Sequence, residues 1–396
     1  MTHKERMLAA IRGQPTDRLP WAPRLDLWYK ANRRAGTLPA RFKDASLMEI
    51  SDALGAGYHA VVPDFRDLRS PDDDVDRALG IYNLHTFPYK TVLENVDRKV
   101  IRQGDETTVE YHTPAGKIRT RVLYDESMRR AGITITHITE YAVKSWRDLD
   151  AVGYIFEHAR ALPNPEGYAE FAEFVGDRGL AVAFTSLAAS PMHLLQRELM
   201  PLNLFFYECY DHPAELAECA GRIGRYFQSV LDRAVESPAQ VIFLGANYDA
   251  SVTYPPFFEE HIAPWLRRTA QACHQKGKFL LTHTDGENSG LLRLYLQSEI
   301  DVADSVCPAP MTKLSIKQVR ECFDGQITIW GGIPSVALLL DSLPDRDFEA
   351  FIDRFFEDLG RGDHIILGIS DTTPPAACFE RLERIAQMVE AFGAVS

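Results

Sequence analysis

Short apolar runs alternate with longer helix-like stretches along most of this 396-residue chain, and few architectures tolerate that pattern. Strand candidates fall at 17–24, 59–63, Leu180 to Thr185, Val241 to Gly245, Phe279 to Thr284, Ile300 to Ala303, Ile327 to Trp330 and His364 to Ile369. Helical periodicity fills the gaps, over Leu47 to Leu54, Pro213 to Val235, Pro256 to Gln275, Leu291 to Gln297, Ser315 to Cys322, Phe348 to Leu359 and Phe379 to Phe392. Strand then helix, repeated, implies parallel strands with helices outside, and eight such strands favour closure as a (β/α)8 TIM barrel over an open doubly wound sheet. The series is interrupted between about Glu94 and Thr139. There, alternating runs at Lys99, Thr107 to Tyr111 and Ile118 to Leu123 are separated by turns at Gly104 and Gly116 and read as an antiparallel β insertion. The whole chain, 1–396, is expected to be one barrel domain carrying that 94–139 insertion.

Composition narrows the partners. The chain is 45% hydrophobic and 25% charged, which is ordinary for a globular protein with a sizeable core. A formal net charge of −13 speaks against nucleic acid or an anionic membrane surface, either of which needs clustered basic groups. The six cysteines, at 209, 219, 273, 307, 322 and 378, form no C-x-x-C pair and no close framework, so a reducing cytoplasm is the expected setting. No apolar run approaches the length of a membrane span, and the first dozen residues are too charged for a signal peptide. There is no G-x-G-x-x-G after the first strand candidate and no Walker sequence, which lowers the case for a nucleotide ligand.

The chemistry is expected at His283-Thr-Asp-Gly286, which closes the apolar run Lys278 to Leu281. A histidine and a carboxylate two residues apart at a strand's end point to one side of the backbone, which suits metal ligation or proton transfer at a barrel mouth. The bland alternative is a turn in which Asp285 or Asn288 caps the next helix. Asn247 and Asp249 follow the fourth strand candidate and would share that rim, Asp249 as general acid or base or else as a cap among Ser251 and Thr253. Glu287 adds a carboxylate beside His283, and Trp330, before Gly331 and Gly332, ends the seventh strand candidate. Arg24 is a candidate for binding a substrate's acid group. Cys307, after the sixth candidate, is a reserve sulfur ligand or a small buried hydrophobe.

Several of these stretches resemble the uroporphyrinogen decarboxylase superfamily: Glu5 to Gly13 with Asp17-Arg-Leu-Pro20, Tyr254-Pro-Pro-Phe-Phe258, His274 to Gly277, His283 to Gly286 and Ile329-Trp-Gly-Gly332. The resemblance spans nearly the whole chain and implies a (β/α)8 barrel. Two chemistries occur in that superfamily, cofactor-free decarboxylation of a tetrapyrrole and zinc-assisted methyl transfer involving corrinoid proteins. Decarboxylases carry Met-Arg-Gln-Ala-Gly-Arg-Tyr near the first strand, and the stretch Arg24 to Gly36 keeps basic residues but not that motif. The Thr113-Pro-Ala-Gly116 turn of the insertion is similar to methyltransferase-type members. In that branch a His-x-Cys and a later Cys hold zinc. His283 matches, while Asp285 and Asp371 stand where the two cysteines would be. Carboxylates put less electron density on Zn²⁺ than thiolates and let harder divalent ions compete, so zinc is the first but not the sole expectation.

What the resemblance implies is a methyltransferase that takes a methyl group from a small methylated compound, a methoxy-aromatic first among them. The acceptor would be a corrinoid on a separate protein, because this chain has no Asp-x-His-x-x-Gly corrinoid-binding sequence. The alternatives are a decarboxylase or other lyase acting on a small carboxylic acid, and a barrel that binds a ligand without catalysis. A homodimer is compatible with either.

Overall fold

The computed structural model describes residues 1–65, 69–70 and 72–396. Twelve strands are found among them: β1 Tyr89–Leu93, β2 Asp97–Gln103, β3 Glu106–Thr113, β4 Gly116–Leu123, β5 His137–Glu140, β6 Ala159–Pro163, β7 Ala183–Phe184, β8 Val241–Ala246, β9 Phe279–His283, β10 Val302–Val306, β11 Thr328–Pro334 and β12 Ile365–Ser370. The last six make one parallel sheet in the order β12-β11-β10-β9-β8-β7. Every residue of β8, β10, β11 and β12 is buried, as when both faces of a sheet are covered. The fold is therefore α/β with a six-stranded parallel sheet.

The two earliest strand candidates form bridges and not ladders. Ala22 N–H donates to Leu367 O and Leu367 N–H to Pro20 O, each at 2.8 Å, while Tyr58 N–H reaches Arg178 O at 2.8 Å and Val182 N–H reaches Ala60 O at 3.3 Å. Gly57 N–H donates to Trp21 O at 2.7 Å and joins the two segments. Isolated parallel bridges Trp21↔Leu367 and Tyr58↔Gly179 are the result. The reason is chemical: Pro20 and Pro23 have no N–H to give, so a ladder cannot extend past the residues between them. Six strands, not the expected eight, thus carry the parallel sheet, and hydrogen bonds lead from β12 through these two segments back towards β7.

The insertion is antiparallel, in the order β2-β3-β4-β5, with Gly104 and Gly116 at its two turns. The chain also pairs β1 with β6 antiparallel, a ribbon outside the expected 94–139 bounds. A small apolar cluster of Ala78, Val122 and Ile138 seals the insertion against the rest, and one continuous core runs from Met7 to Val395.

Helices cover the parallel sheet for the reason their spacing suggests. Pro213–Glu236 buries Leu216, Cys219, Ile223, Tyr226, Phe227, Val230, Leu231 and Ala234, a stripe at three- and four-residue steps, and its proline sits in the first turn where no N–H is needed. Two stretches are wound as π-helix, Leu195–Leu199 and Phe258–Ile262. None of the helices among the described residues is long and apolar enough to cross a membrane.

Candidate metal centre

Parallel pairing sets the site. In register, Ala246 lies opposite His283, His283 opposite Asp304, and Asp304 opposite Trp330, so β8 to β11 bring these four residues to one level, at the C-terminal ends of β8 and β9. His283 is 5% exposed and Asp304 1%. The His283 Nδ1 lies 2.6 Å from Asp304 Oδ2, so Nδ1–H donates to that carboxylate. The other nitrogen, Nε2, faces Asp371 Oδ1 at 3.1 Å and Asp285 Oδ1 at 3.8 Å. The ligand atoms of His283, Asp285 and Asp371 all lie within 4.8 Å of one another. Asp285 enters from the loop after β9 and Asp371 directly after β12, so residues 86 positions apart in the chain meet at one point.

Around this group sit further polar side chains. Asn247 Nδ2 donates to Asp285 Oδ2 at 2.8 Å, and its Oδ1 accepts from Arg197 Nη2 at 2.9 Å. Arg24 Nη1 reaches Asp371 Oδ1 at 3.4 Å while its Nε holds Asp26 at 3.0 Å. His59 Nε2 lies 3.4 Å from the second oxygen of Asp304, and its ring meets the indole of Trp330 edge-on, with centroids 5.1 Å apart.

The electrostatics follow from three carboxylates around one imidazole. Burial acts to lower the His283 pKa, but the field of Asp285 and the hydrogen bonds to Asp304 and Asp371 push it well above the usual histidine range. Burial, reinforced by the like charge of Asp371, raises the Asp285 carboxyl. Asp371 goes the other way, to about 2: the His283 ring and Arg24 overcome its burial. Among the described residues, Arg24 is the permanent cation in direct contact with the cluster, and Asp26 shares it, while Arg197 acts on Asp285 from behind Asn247. The cluster therefore calls for positive charge, which a proton on His283 or a cation among the three side chains can supply.

A divalent cation fits the donor set. Asp285 Oδ1 is buried and has no hydrogen-bond partner, an orphan that ligation would satisfy. Asp304 is the expected companion of a ligating imidazole, since a carboxylate on Nδ1–H fixes the ring and leaves the Nε2 lone pair free towards Asp285 and Asp371. Asp371 is partly exposed, so an ion held by these three side chains would be within reach of a small molecule.

The remaining sequence candidates are placed elsewhere. Asp249 does not join the cluster: its Oδ1 accepts from Ser251 and its Oδ2 from Glu287 N–H, the cap-like alternative. Those bonds outweigh burial and leave its carboxyl below the usual range. Glu287 spends both oxygens on the N–H groups of Ser289 and Lys313, stitching two loops together. Trp330 is buried and donates its indole N–H to Ala22 O, so it is a wall behind His59. The Cys307 thiol lies outside the three-residue group and donates to Ser305 O, and burial with the nearby charges of Asp285 and Asp371 pushes its pKa up to about 12. Arg24 stands beside the cluster, but its guanidinium is engaged by Asp26 and Asp371.

Asp304, His59 and Arg197 were missed from the sequence. Asp304 had a readable signal, a carboxylate within the buried run Val302-Ala-Asp-Ser-Val306, where a charge survives only if it is paired. His59 and Arg197 had none, because their partners come from distant segments.

No family model matches the chain. Nor does any curated protein. Among solved structures, the chain is similar in fold to a methyltransferase from Methanosarcina mazei. The two superpose with a TM-score of 0.53 over 99% of each chain, at 15% sequence identity. At that identity the likeness concerns the fold.

Proposed function

We propose that this protein is a metal-assisted methyltransferase that takes a methyl group from a small methylated compound, an aryl methyl ether first among them, and passes it to a corrinoid carried by a separate protein. The observation that carries the reading is the convergence of His283, Asp285 and Asp371, with Asp304 behind the imidazole and an unpartnered oxygen of Asp285 in front of it. A full-length likeness in fold to a methyltransferase supports it, as does the resemblance of its motifs to the methyltransferase branch of the uroporphyrinogen decarboxylase superfamily. In this reading the segments around Trp21 and Tyr58 count as the first two strands of a closed (β/α)8 barrel, and the centre lies at its C-terminal mouth.

A divalent cation bound there would supply Lewis acidity to the leaving oxygen. The chain does the rest. His283, Asp285 and Asp371 would hold the cation, Asp304 keeps the imidazole in the tautomer whose Nε2 can ligate, and Asn247 fixes Asp285 through its second oxygen. The leaving phenolate takes a proton from water at the open rim. A lyase using Arg24 to hold a substrate carboxylate is less well supported, because that guanidinium already serves two aspartates.

The test is direct. Purified protein should bind close to one zinc or similar divalent ion per chain, His283→Ala should abolish that binding, and reduced cobalamin should be methylated from a methoxy-aromatic donor only by the metal-loaded wild type. Full activity in metal-stripped protein would overturn the mechanism.

A further inference from the structure

Between the antiparallel insertion and the parallel sheet lies a cavity of about 560 Å³, within the range of small-molecule sites. Its apolar walls are Leu123, Met128, Ile133, Ile135, Ile138 and Leu187. The polar part is cationic: Arg77 and Arg197 both line it. A single buried carboxylate, Glu198, serves both, with Arg77 Nη1 bonded to it, Arg197 Nε 3.5 Å away, and the Tyr82 hydroxyl donating at 3.0 Å. Asp125, the acid on the cavity's edge, is occupied as a helix cap by Met128 N–H at 2.9 Å and by Ser127. Among the described residues, two guanidinium groups thus share one acid, and a second anion is wanted.

Unpartnered atoms point to where that anion would go. Among the described residues, Arg77 Nε and Thr136 Oγ1 are buried without hydrogen-bond partners, and both residues line the cavity. Thr136 is 5% exposed and Arg77 8%, so bulk water does not satisfy them. Arg197 is presented from the π-helical turn Leu195–Leu199, a distortion common at functional sites. Through Asn247 it stands two hydrogen bonds, 2.9 and 2.8 Å, from Asp285.

We infer that this cavity binds a small aromatic carboxylate, its ring against the leucine and isoleucine walls and its acid group against the arginines and Thr136. The inference deepens the methyl-transfer reading by naming the class of donor, and it rests on that reading only in taking the ring to bear the methylated group. Because Arg197 also holds Asn247, occupancy of the cavity is felt at Asp285.

Calorimetric titration of the intact protein with benzoate, 4-methoxybenzoate and methoxybenzene tests it. The two carboxylates should bind at least about tenfold more tightly than methoxybenzene, the margin expected of charge-assisted hydrogen bonds. Arg197→Met should remove that margin and leave methoxybenzene unchanged. Ile135→Trp, filling the cavity, should weaken all three while metal content at His283 stays the same. A carboxylate that binds no better than methoxybenzene, or an Ile135→Trp protein that melts like wild type and still binds benzoate, overturns the inference. Carboxylate binding without methyl transfer would leave the pocket standing and sink the methyltransferase reading. Metal-dependent transfer from neutral ethers with no preference for the acid would do the reverse.

Discussion

A carboxylate behind a ligating imidazole both orients the ring and raises its basicity, so Asp304 governs the centre without touching what is bound there. Asp304→Asn keeps the size of the side chain but removes the charge, and metal affinity should fall about 10- to 100-fold with the fold intact. A chelator-competition titration that gives wild-type affinity would show that Asp304 does not orient the ring. The nature of the other two ligands sets metal preference. Replacing both acids with thiolates, Asp285→Cys with Asp371→Cys, should raise the zinc-to-manganese affinity ratio, because soft sulfur favours zinc and hard oxygen does not discriminate against manganese. An unchanged ratio in a two-metal competition would place the cation elsewhere. These residues also show what the sequence discloses about a site. His283 and Asp285 are legible because they are adjacent in the chain at the end of an apolar run. Asp371 was placed by resemblance alone, and Asp304 by nothing, although its charge inside a buried strand was visible. Arg197 became part of the site only through folding, since its partner Asn247 is 50 residues away.

At the scale of elements, the parallel sheet was legible because strands buried on both faces leave largely apolar runs, as in β8 and β12. The β1–β6 ribbon was not, since β6 has the burial pattern of an exposed edge and its composition resembles a loop. Nor was the failure of the first two candidates to form ladders, which depends on where the proline-flanked residues meet their neighbours. The end of β8 shows how tightly the rim is built. Gly245 has φ +81°, and a Cβ there would lie 2.0 Å from the Tyr248 hydroxyl and 2.5 Å from Ala189 Cβ. That hydroxyl is paired with Thr282 Oγ1 at 2.8 Å, one residue before His283. Gly245→Ala is therefore expected to cost about 2–4 kcal/mol from backbone strain and overpacking together, read as a lowered urea midpoint. It should also weaken metal binding, because the path from Tyr248 to Thr282 must shift. An unaltered midpoint would mean the rim yields more easily than its packing implies.

For the molecule as a whole, pH acts through opposing groups. The excess of 13 negative charges, the buried Asp76 and the half-buried Asp301, both acids raised chiefly by desolvation, favour the folded state as the medium becomes more acidic. His193 opposes them. It is 2% exposed, its Nδ1 accepts from Ala189 N–H at 3.1 Å, and burial followed by the charge of Arg197 lowers its pKa from 6.5 to about 3. Between those two values the unfolded chain binds a proton that the native imidazole refuses, so stability falls as pH falls through that interval. By pH 5 the loss from this one residue is about 2 kcal/mol, from one and a half units at 1.36 kcal/mol each. The raw stability curve mixes all these contributions, but a variant separates them. His193→Asn puts Oδ1 where Nδ1 stands, so it can still accept from Ala189 and cannot titrate. Whatever its stability at pH 7, the variant should lose about 2 kcal/mol less than the wild type on moving to pH 5, measured by urea unfolding at both values. Equal losses would mean that the wild-type imidazole is protonated inside the fold, and that the packing around Tyr248 and Arg197 accommodates a charge the buried geometry argues against.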